Sequence, residues 1–295
     1  MGDGLKGSGK EREEGISALL RRLRYEIIPL EGIEEGVWGW LYEGERSPTL
    51  TITASPARGI EPTVELVRRL REGGYAGRAL VPHLSARLIR DERHLEEIVA
   101  RLREAEVEEA FVVGGDAKEP AGKFRDALGL LEALKELGSP FERVGIAGYP
   151  EGHPFIEEKV LMEALVAKSA HASYVVSQVC FDARSVVGWV RRIRAVGVRL
   201  PVVVGVAAPI EAMRLARIAT RIGVGESARF LRKQRGWLLR LLLPGRKAGF
   251  SYDASKFLEA LVREGGGEAV SGIHLYTFND LKSSVGWVRK EKGER

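Results

Sequence analysis

The sequence predicts a single α/β domain folded as a (β/α)8, or TIM, barrel with a basic helical insertion after the seventh strand. Three observations carry that expectation. Eight short apolar or β-branched runs alternate with stretches of helical periodicity along 295 residues, a length that suits the roughly 250 residues typical of such barrels. Strand after strand ends in Gly, Pro, His or Asp, the chemistry expected where parallel strands give way to functional loops. No G-x-G-x-x-G follows an early strand, which disfavours an open doubly wound sheet.

The first strand is read at Tyr25 to Pro29, after the basic stretch Arg21 to Arg24, and the irregular helix Ile33 to Tyr42 follows it. Thr49 to Thr53 alternates as a second strand should. A helix from Glu61 to Glu72 aligns Val64, Leu66, Val67 and Leu70 on one face, and Gly73-Gly74 stops it. Ala79 to Leu84 is the third strand, and the helix from Asp91 to Glu106 turns Leu95, Ile98, Val99 and Leu102 inward. The fourth strand, Ala110 to Val113, ends in Gly114-Gly115-Asp116 and leads to a helix from Asp126 to Leu137. The fifth, Val144 to Ile146, runs into Ala147-Gly148-Tyr149-Pro150-Glu151-Gly152-His153-Pro154, where proline and glycine stop it abruptly. After a helix from Glu157 to Ser169, the sixth strand, Ser173 to Val179, breaks at Cys180-Phe181-Asp182. The helix Ala183 to Ala195 precedes the seventh strand, Leu200 to Val206, and Ile210 to Ile222, Glu226 to Leu243 and Ala254 to Arg263 are all helical. Gly272 to Thr277 and Leu281 to Val288 supply the last strand and helix.

Residues 1–20 read as a disordered N-terminal tail, because Met1 to Gly15 is rich in Gly, Lys and Glu. Residues 21–290 form the catalytic barrel, and 291–295 a charged C-terminal tail. Apolar residues make up 44% and charged residues 29%, and no apolar run approaches the roughly 18 residues of a membrane span. With no signal-peptide core either, a cytoplasmic protein without membrane contact is expected. The single Cys180 excludes a disulfide framework and thiolate zinc. The formal charge of +5 is spread along helical faces, so a solvated surface is expected rather than a nucleic-acid stripe; it favours anionic substrates. No His-x-His or H-E-x-x-H spacing occurs, and five dispersed histidines offer no evident triad, so no metal is expected.

In such a barrel the C-terminal strand ends bring together Glu26, Thr53, His83, Asp116, Tyr149 with His153, Gln178 with Asp182, and Tyr276. Taken singly, each has an ordinary structural explanation: a surface carboxylate, a strand hydroxyl, a satisfied core histidine, a loop cap. Their joint occurrence at one mouth points to a site.

The order Tyr25-Glu26, Pro82-His83-Leu84, Gly115-Asp116, Tyr149-Pro150-Glu151-Gly152-His153-Pro154, Ser177-Gln178 with Phe181-Asp182, and His274-Leu275-Tyr276-Thr277 resembles the methylenetetrahydrofolate reductase family over about residues 22–290. The resemblance implies reduction of 5,10-methylenetetrahydrofolate to 5-methyltetrahydrofolate with electrons from NADH or NADPH. It further implies that Glu26 is the general acid that opens the five-membered ring to an iminium, that Asp116 hydrogen-bonds the pterin and opposes the cationic charge, and that Gln178 helps hold the pterin. Tyr276 is expected at the same substrate, and Thr53, His83, Tyr149 and His153 at the nicotinamide dinucleotide.

Flavin-containing members of the family hold FAD with Asp, Asn, Arg and Lys on the helix after the Tyr-Pro-Glu element. The matching positions here are Val160, Glu163, Val166 and Ala167, with Lys168 one place late; Gly114 replaces an Arg, and Arg125 a small residue. Losing cationic partners to a pyrophosphate forfeits charge-assisted bonds of roughly 1.5–3 kcal/mol each. The expectation is therefore a flavin-independent enzyme with direct hydride transfer. An FAD-dependent form, a related flavoenzyme of the same superfamily and a non-catalytic folate-binding barrel are the alternatives; Glu26 speaks against the last, since binding alone needs no proton donor. The oligomeric state, a homo-oligomer included, stays open, with Glu226 to Leu243 either a subunit interface or a helix packed on the barrel.

Overall fold

The computed structural model describes residues 3–42, 47–153, 156–209 and 254–294. Its strands are β1 (Leu23–Ile27), β2 (Thr49–Ile52), β3 (Leu80–Ser85), β4 (Glu109–Val113), β5 (Arg143–Gly148), β6 (Tyr174–Val179), β7 (Val202–Ala207) and β8 (Gly272–Tyr276). Each pairs in parallel with its neighbours in sequence, and β8 pairs with β1, so the sheet closes into a barrel. The described helices are α1 (Asp3–Leu20), α2 (Ile33–Gly36), α3 (Glu61–Glu72), α4 (Glu92–Glu104), α5 (Ala127–Glu136), α6 (Glu158–Ser169), α7 (Ala183–Ala195), α8 (Ala254–Arg263), α9 (Gly266–Ala269) and α10 (Leu281–Glu291). The predicted barrel is the observed fold.

The sequence places the helices with short polar signals. Asp91, Asp126, Asp182 and Asp280 cap α4, α5, α7 and α10 by accepting from backbone N–H groups of the first turn. Alternate strand residues then divide between two cores. Tyr25, Ile27, Leu50 and Ile52 belong to the core shared with the helices, whereas Val81, Phe111, Tyr174, Val176 and Val203 pack against one another as a second cluster. Gly145 makes room for the second: a Cβ there would stand 2.3 Å from the Tyr174 ring.

Two expectations change. Residues 3–20 form helix α1 where a disordered tail was expected; Ile16, Leu19 and Leu20 are buried in the core, and that apolar face outweighs the polar composition before it. The irregular helix expected over Ile33 to Tyr42 is observed, as a short α-helix followed by a π-helical turn, Val37–Leu41, which buries Val37 and Leu41. Glu291, assigned to the charged tail, closes α10. The predicted helices Ile210–Ile222 and Glu226–Leu243, like Pro154 and Phe155, lie outside the described residues. No described helix is long and apolar enough to cross a membrane.

Candidate active site

Glu26 stands near the end of β1, where strand alternation turns it to the same side as Arg24. Its carboxylate meets two imidazoles: His274 Nε2 hydrogen-bonds Glu26 Oε2 at 2.9 Å, and His83 Nε2 lies 3.8 Å from the same oxygen. All three side chains are withdrawn from water, at 12% exposure for Glu26, 9% for His83 and 1% for His274. Burial raises the Glu26 carboxyl to about 7, with His83 partly opposing the shift. It also lowers His83 to about 4, Glu26 opposing and His274 adding to the change. His274 falls to about 3, by burial first and by the Arg24 charge second. At neutral pH the two histidines are neutral, and the carboxyl is poised between acid and carboxylate.

Around this group, polar atoms stand ready without partners. Besides Arg71 Nε on α3, the buried side-chain atoms that lack a hydrogen bond among the described residues, His83 Nε2, Ser85 Oγ, Gln178 Oε1 and His274 Nδ1, belong to barrel strands, β3, β6 and β8. Leaving such groups unsatisfied costs about 1–3 kcal/mol each, so their clustering is the signature of a ligand site. Gln178 is positioned by an irregularity: the β6–β7 register shifts between Val176 and Val179. Gly205 admits it, because a Cβ there would stand 2.4 Å from the Gln178 carbonyl oxygen.

Other expected residues take more structural positions. Tyr276 packs edge-on against His274 at 4.8 Å between ring centroids, and its hydroxyl donates to the Ser177 carbonyl at 3.1 Å. It forms a wall of the site rather than a free hydrogen-bonding group. Asp182 caps α7 and also accepts from Ser185 Oγ at 2.7 Å, which with burial opposing holds its carboxyl below the usual range. Glu151 Oε1 accepts from the backbone N–H groups of Phe181 and Asp182 at 2.7 and 2.8 Å, clamping the loop after β5 to the loop after β6. Asp116 is exposed at the rim after β4, close enough to Tyr149 to help burial raise that phenol's pKa. Tyr149 in turn meets His153 edge-on at 5.3 Å. Thr53, following β2, accepts from Thr63 Oγ1 through its backbone carbonyl.

His274 is a residue of this cluster that spacing alone did not single out. In the parallel register His274 pairs with Arg24 and Tyr276 with Glu26, so the His-x-Tyr alternation of β8 carries His274 to the same face of the barrel as Tyr276. The same topology corrects the inference drawn from dispersed histidines. Ligand-capable atoms of Glu26, His83 and His274 lie within 4.8 Å of one another, a donor set a divalent cation could use.

The helix expected to face a flavin offers no matching cations. Val160 and Val166 are 49% and 41% exposed. Glu163 lies 4.0 Å from Lys159 on its own helix. The Lys168 ammonium is turned back to donate to the Ala147 carbonyl at 3.4 Å, so it does not stand in for the missing set. These residues do not fit the pyrophosphate of FAD.

Residues 62–290 match the family described as methylenetetrahydrofolate reductase. That stretch contains His83, Asp116, Tyr149, His153, Gln178, His274 and Tyr276; Glu26 and Thr53 precede it. The chain is 29% identical over 89 residues to methylenetetrahydrofolate reductase 2 of Saccharomyces cerevisiae, a match spanning 29% of this chain and 15% of the yeast protein. Similar solved structures include a Burkholderia cenocepacia J2315 protein described as a lyase/mutase, with TM-score 0.48 and 11% identity over 94% of this chain and 86% of that one. Another from the same organism, described as a phosphonomutase, has TM-score 0.46 and 10% identity over 95% and 99% of the two chains.

Proposed function

The chain belongs to the methylenetetrahydrofolate reductase family, and from that premise we propose that it reduces 5,10-methylenetetrahydrofolate to 5-methyltetrahydrofolate by hydride transfer directly from NADH or NADPH. The observation that carries this reading is Glu26 itself: a buried carboxyl, raised to about 7, hydrogen-bonded to a neutral imidazole. A catalytic acid works best when its pKa lies near the operating pH. Protonated Glu26 gives its proton to the departing ring nitrogen, the carbon–nitrogen bond breaks, and an iminium forms on the other nitrogen. The nicotinamide then passes hydride to the methylene carbon and leaves oxidised, so the electrons balance without a third redox partner.

Asp116 at the rim would oppose the iminium charge and hydrogen-bond the pterin, and Gln178 Oε1, buried without a partner, would accept from it. Tyr276 walls the pterin, while Thr53, His83, Tyr149 and His153 line the side left to the dinucleotide. No step is routed through FAD, because α6 lacks the cations a pyrophosphate needs. The lone, buried Cys180 suits a reducing compartment, and a cytoplasmic enzyme is the setting this chemistry favours.

The test is the visible spectrum and the initial-rate pattern of the purified enzyme. A colourless protein that oxidises NAD(P)H with methylenetetrahydrofolate, giving intersecting double-reciprocal lines, is expected, because hydride passes within a ternary complex. A yellow protein, or activity only on adding FAD, would refute the flavin-free part. Loss of all turnover with and without FAD would refute the reductase reading.

A further inference from the structure

A cavity of about 780 Å³ opens at the end of the barrel opposite Glu26. Its walls come from the beginnings of strands and the residues just before them, from the π-helical turn, and from α10 and the residues after it. Between it and the Glu26 layer the second core cluster, with Phe111 touching His83 at 4.7 Å between ring centroids, plugs the barrel. The cavity is thus a separate compartment from the proposed reductase site.

Its lining is strongly cationic. Arg21, Arg22, Arg24, Arg143, Arg289 and Lys292 line it, with Glu294 as a carboxylate among them. The floor is internally paired: Arg24 bonds Glu109 and donates to Tyr174 Oη at 3.0 Å, and Arg143 lies 3.1 Å from Glu109. With Arg24 and Arg143 matched by Glu109, and Arg289 engaged by partners of its own, Arg21, Arg22 and Lys292 set against Glu294 leave positive charge in excess among the described lining residues. We propose that this cavity binds a polyphosphate, an anion carrying two or more adjacent phosphate groups.

The chemistry favours that class over a single carboxylate. Like charges gathered in a recess focus a positive potential that a multiply charged anion relieves more fully than a monoanion. Guanidinium groups prevail over ammonium here, and their planar forks match phosphate oxygens two at a time. The volume lies within the roughly 300–1,000 Å³ of sites that enclose a small organic ligand. At the rim Trp40 is 41% exposed, with the Lys282 ammonium 5.4 Å from the centre of its ring. Both inorganic polyphosphate and a nucleotide share the required chemistry.

Calorimetric titration of the full chain with inorganic triphosphate and with ATP, at physiological ionic strength, tests the proposal. Saturable binding of at least one probe at a single site is expected. The double variant Arg22→Ala/Lys292→Ala should weaken it by about tenfold or more, since two charge-assisted contacts are lost. A control, Arg93→Ala/Arg184→Ala, removes the same charge from exposed helix positions and should change affinity by less than about twofold. Tighter binding of ATP than of triphosphate would assign the phosphates to a nucleotide; equal binding would assign them to the phosphate chain alone. No saturable binding of either probe, binding that survives the cavity variant, or equal weakening in both variants would overturn the proposal.

Discussion

Two glutamates are buried within the same barrel, and their surroundings give them opposite characters. Glu109, at the start of β4, is bonded to Arg24 and lies 3.1 Å from Arg143, so its negative charge is matched by full positive charges. Among the described residues the Glu26 carboxyl meets the imidazoles of His274 and His83, whose own burial keeps them neutral. Burial opposes the Arg24 charge too, yet Tyr174 and Glu109 outweigh it and the guanidinium is held above its ordinary value. Depth alone therefore does not decide whether a buried carboxyl is a fixed charge or a mobile proton. The partner does: a guanidinium makes a structural ion pair, and an imidazole that cannot hold a proton leaves the proton to the acid.

The sharpest way to break this contrast is to neutralise each glutamate in turn. Glu26→Gln should lower kcat by about 10²–10⁴ while folding remains intact, because the proposed proton donor is lost and only a neutral amide is buried in its place. Glu109→Gln should cost about 3–5 kcal/mol of stability by leaving Arg24 buried without its anion, while folded enzyme retains near-normal kcat. Steady-state kinetics and urea unfolding on both variants make the check. Should Glu109→Gln cripple turnover and Glu26→Gln only stability, the two roles are reversed.

The pH response separates the two ends next. Glu26 has a folded pKa of about 7, raised from 4.5, so between those values the folded state holds a proton that the unfolded state has released. Its contribution to stability is therefore greatest below pH 4.5, declines as pH rises through that window, and is a constant penalty of about 3 kcal/mol above it. The stability of Glu26→Gln relative to the parent should rise across the same window. In the parent, kcat should fall about tenfold per pH unit above pH 7 as the acid is lost. A flat profile there, or one unchanged in Glu26→Gln, would separate Glu26 from the proton transfer.

A smaller effect tests the imidazole. His274→Leu removes the hydrogen bond to Glu26 and deepens its apolar surroundings, so the alkaline limb of kcat should move to higher pH. Loss of orientation should lower kcat by about tenfold. A purely packing role for His274 would reduce stability and leave the limb where it was.

The barrel was legible in the sequence because alternation, helical faces and strand-ending Gly and Pro are local signals, read within one element at a time. Glu26, His83, Asp116 and Gln178 could be listed because each stands at or near a strand end. What each does once buried was not legible. Glu151, part of the Tyr149-Pro150-Glu151-Gly152-His153-Pro154 run, proves to be a loop clamp, and the Tyr276 hydroxyl is taken up by the Ser177 carbonyl. Both outcomes depend on backbone groups of β6 or of the loop after it, which reach Glu151 and Tyr276 only in the folded barrel. His274 pairs with Glu26 across 248 positions of sequence, and the Arg24 with Glu109 bond crosses 85; such pairs exist only after the sheet has closed. The helix α1 was missed for a related reason: its apolar face follows a polar, glycine-rich start and finds its partners at the other end of the chain, where α1 packs against α8 and β8.

The smallest expected effect is that of a chelator, and it bears most directly on what Glu26 is for. The Glu26, His83 and His274 donor set would suit a divalent cation, whose binding requires an ionised carboxylate and two unprotonated imidazoles. The imidazoles already meet that condition at neutral pH, but the carboxyl meets it only by surrendering the proton the reaction needs. Metal and acid catalysis are therefore mutually exclusive at this oxygen. Purified enzyme should hold well under about 0.1 metal ion per chain, and a chelator should leave kcat within about twofold. Added Zn²⁺ should inhibit, and more strongly as pH rises through 7, because each ion displaces the Glu26 proton. Activity that disappears with chelator and returns with metal would make this trio a metal centre, and Glu26 would then belong with Glu109 as a carboxylate matched by cationic charge.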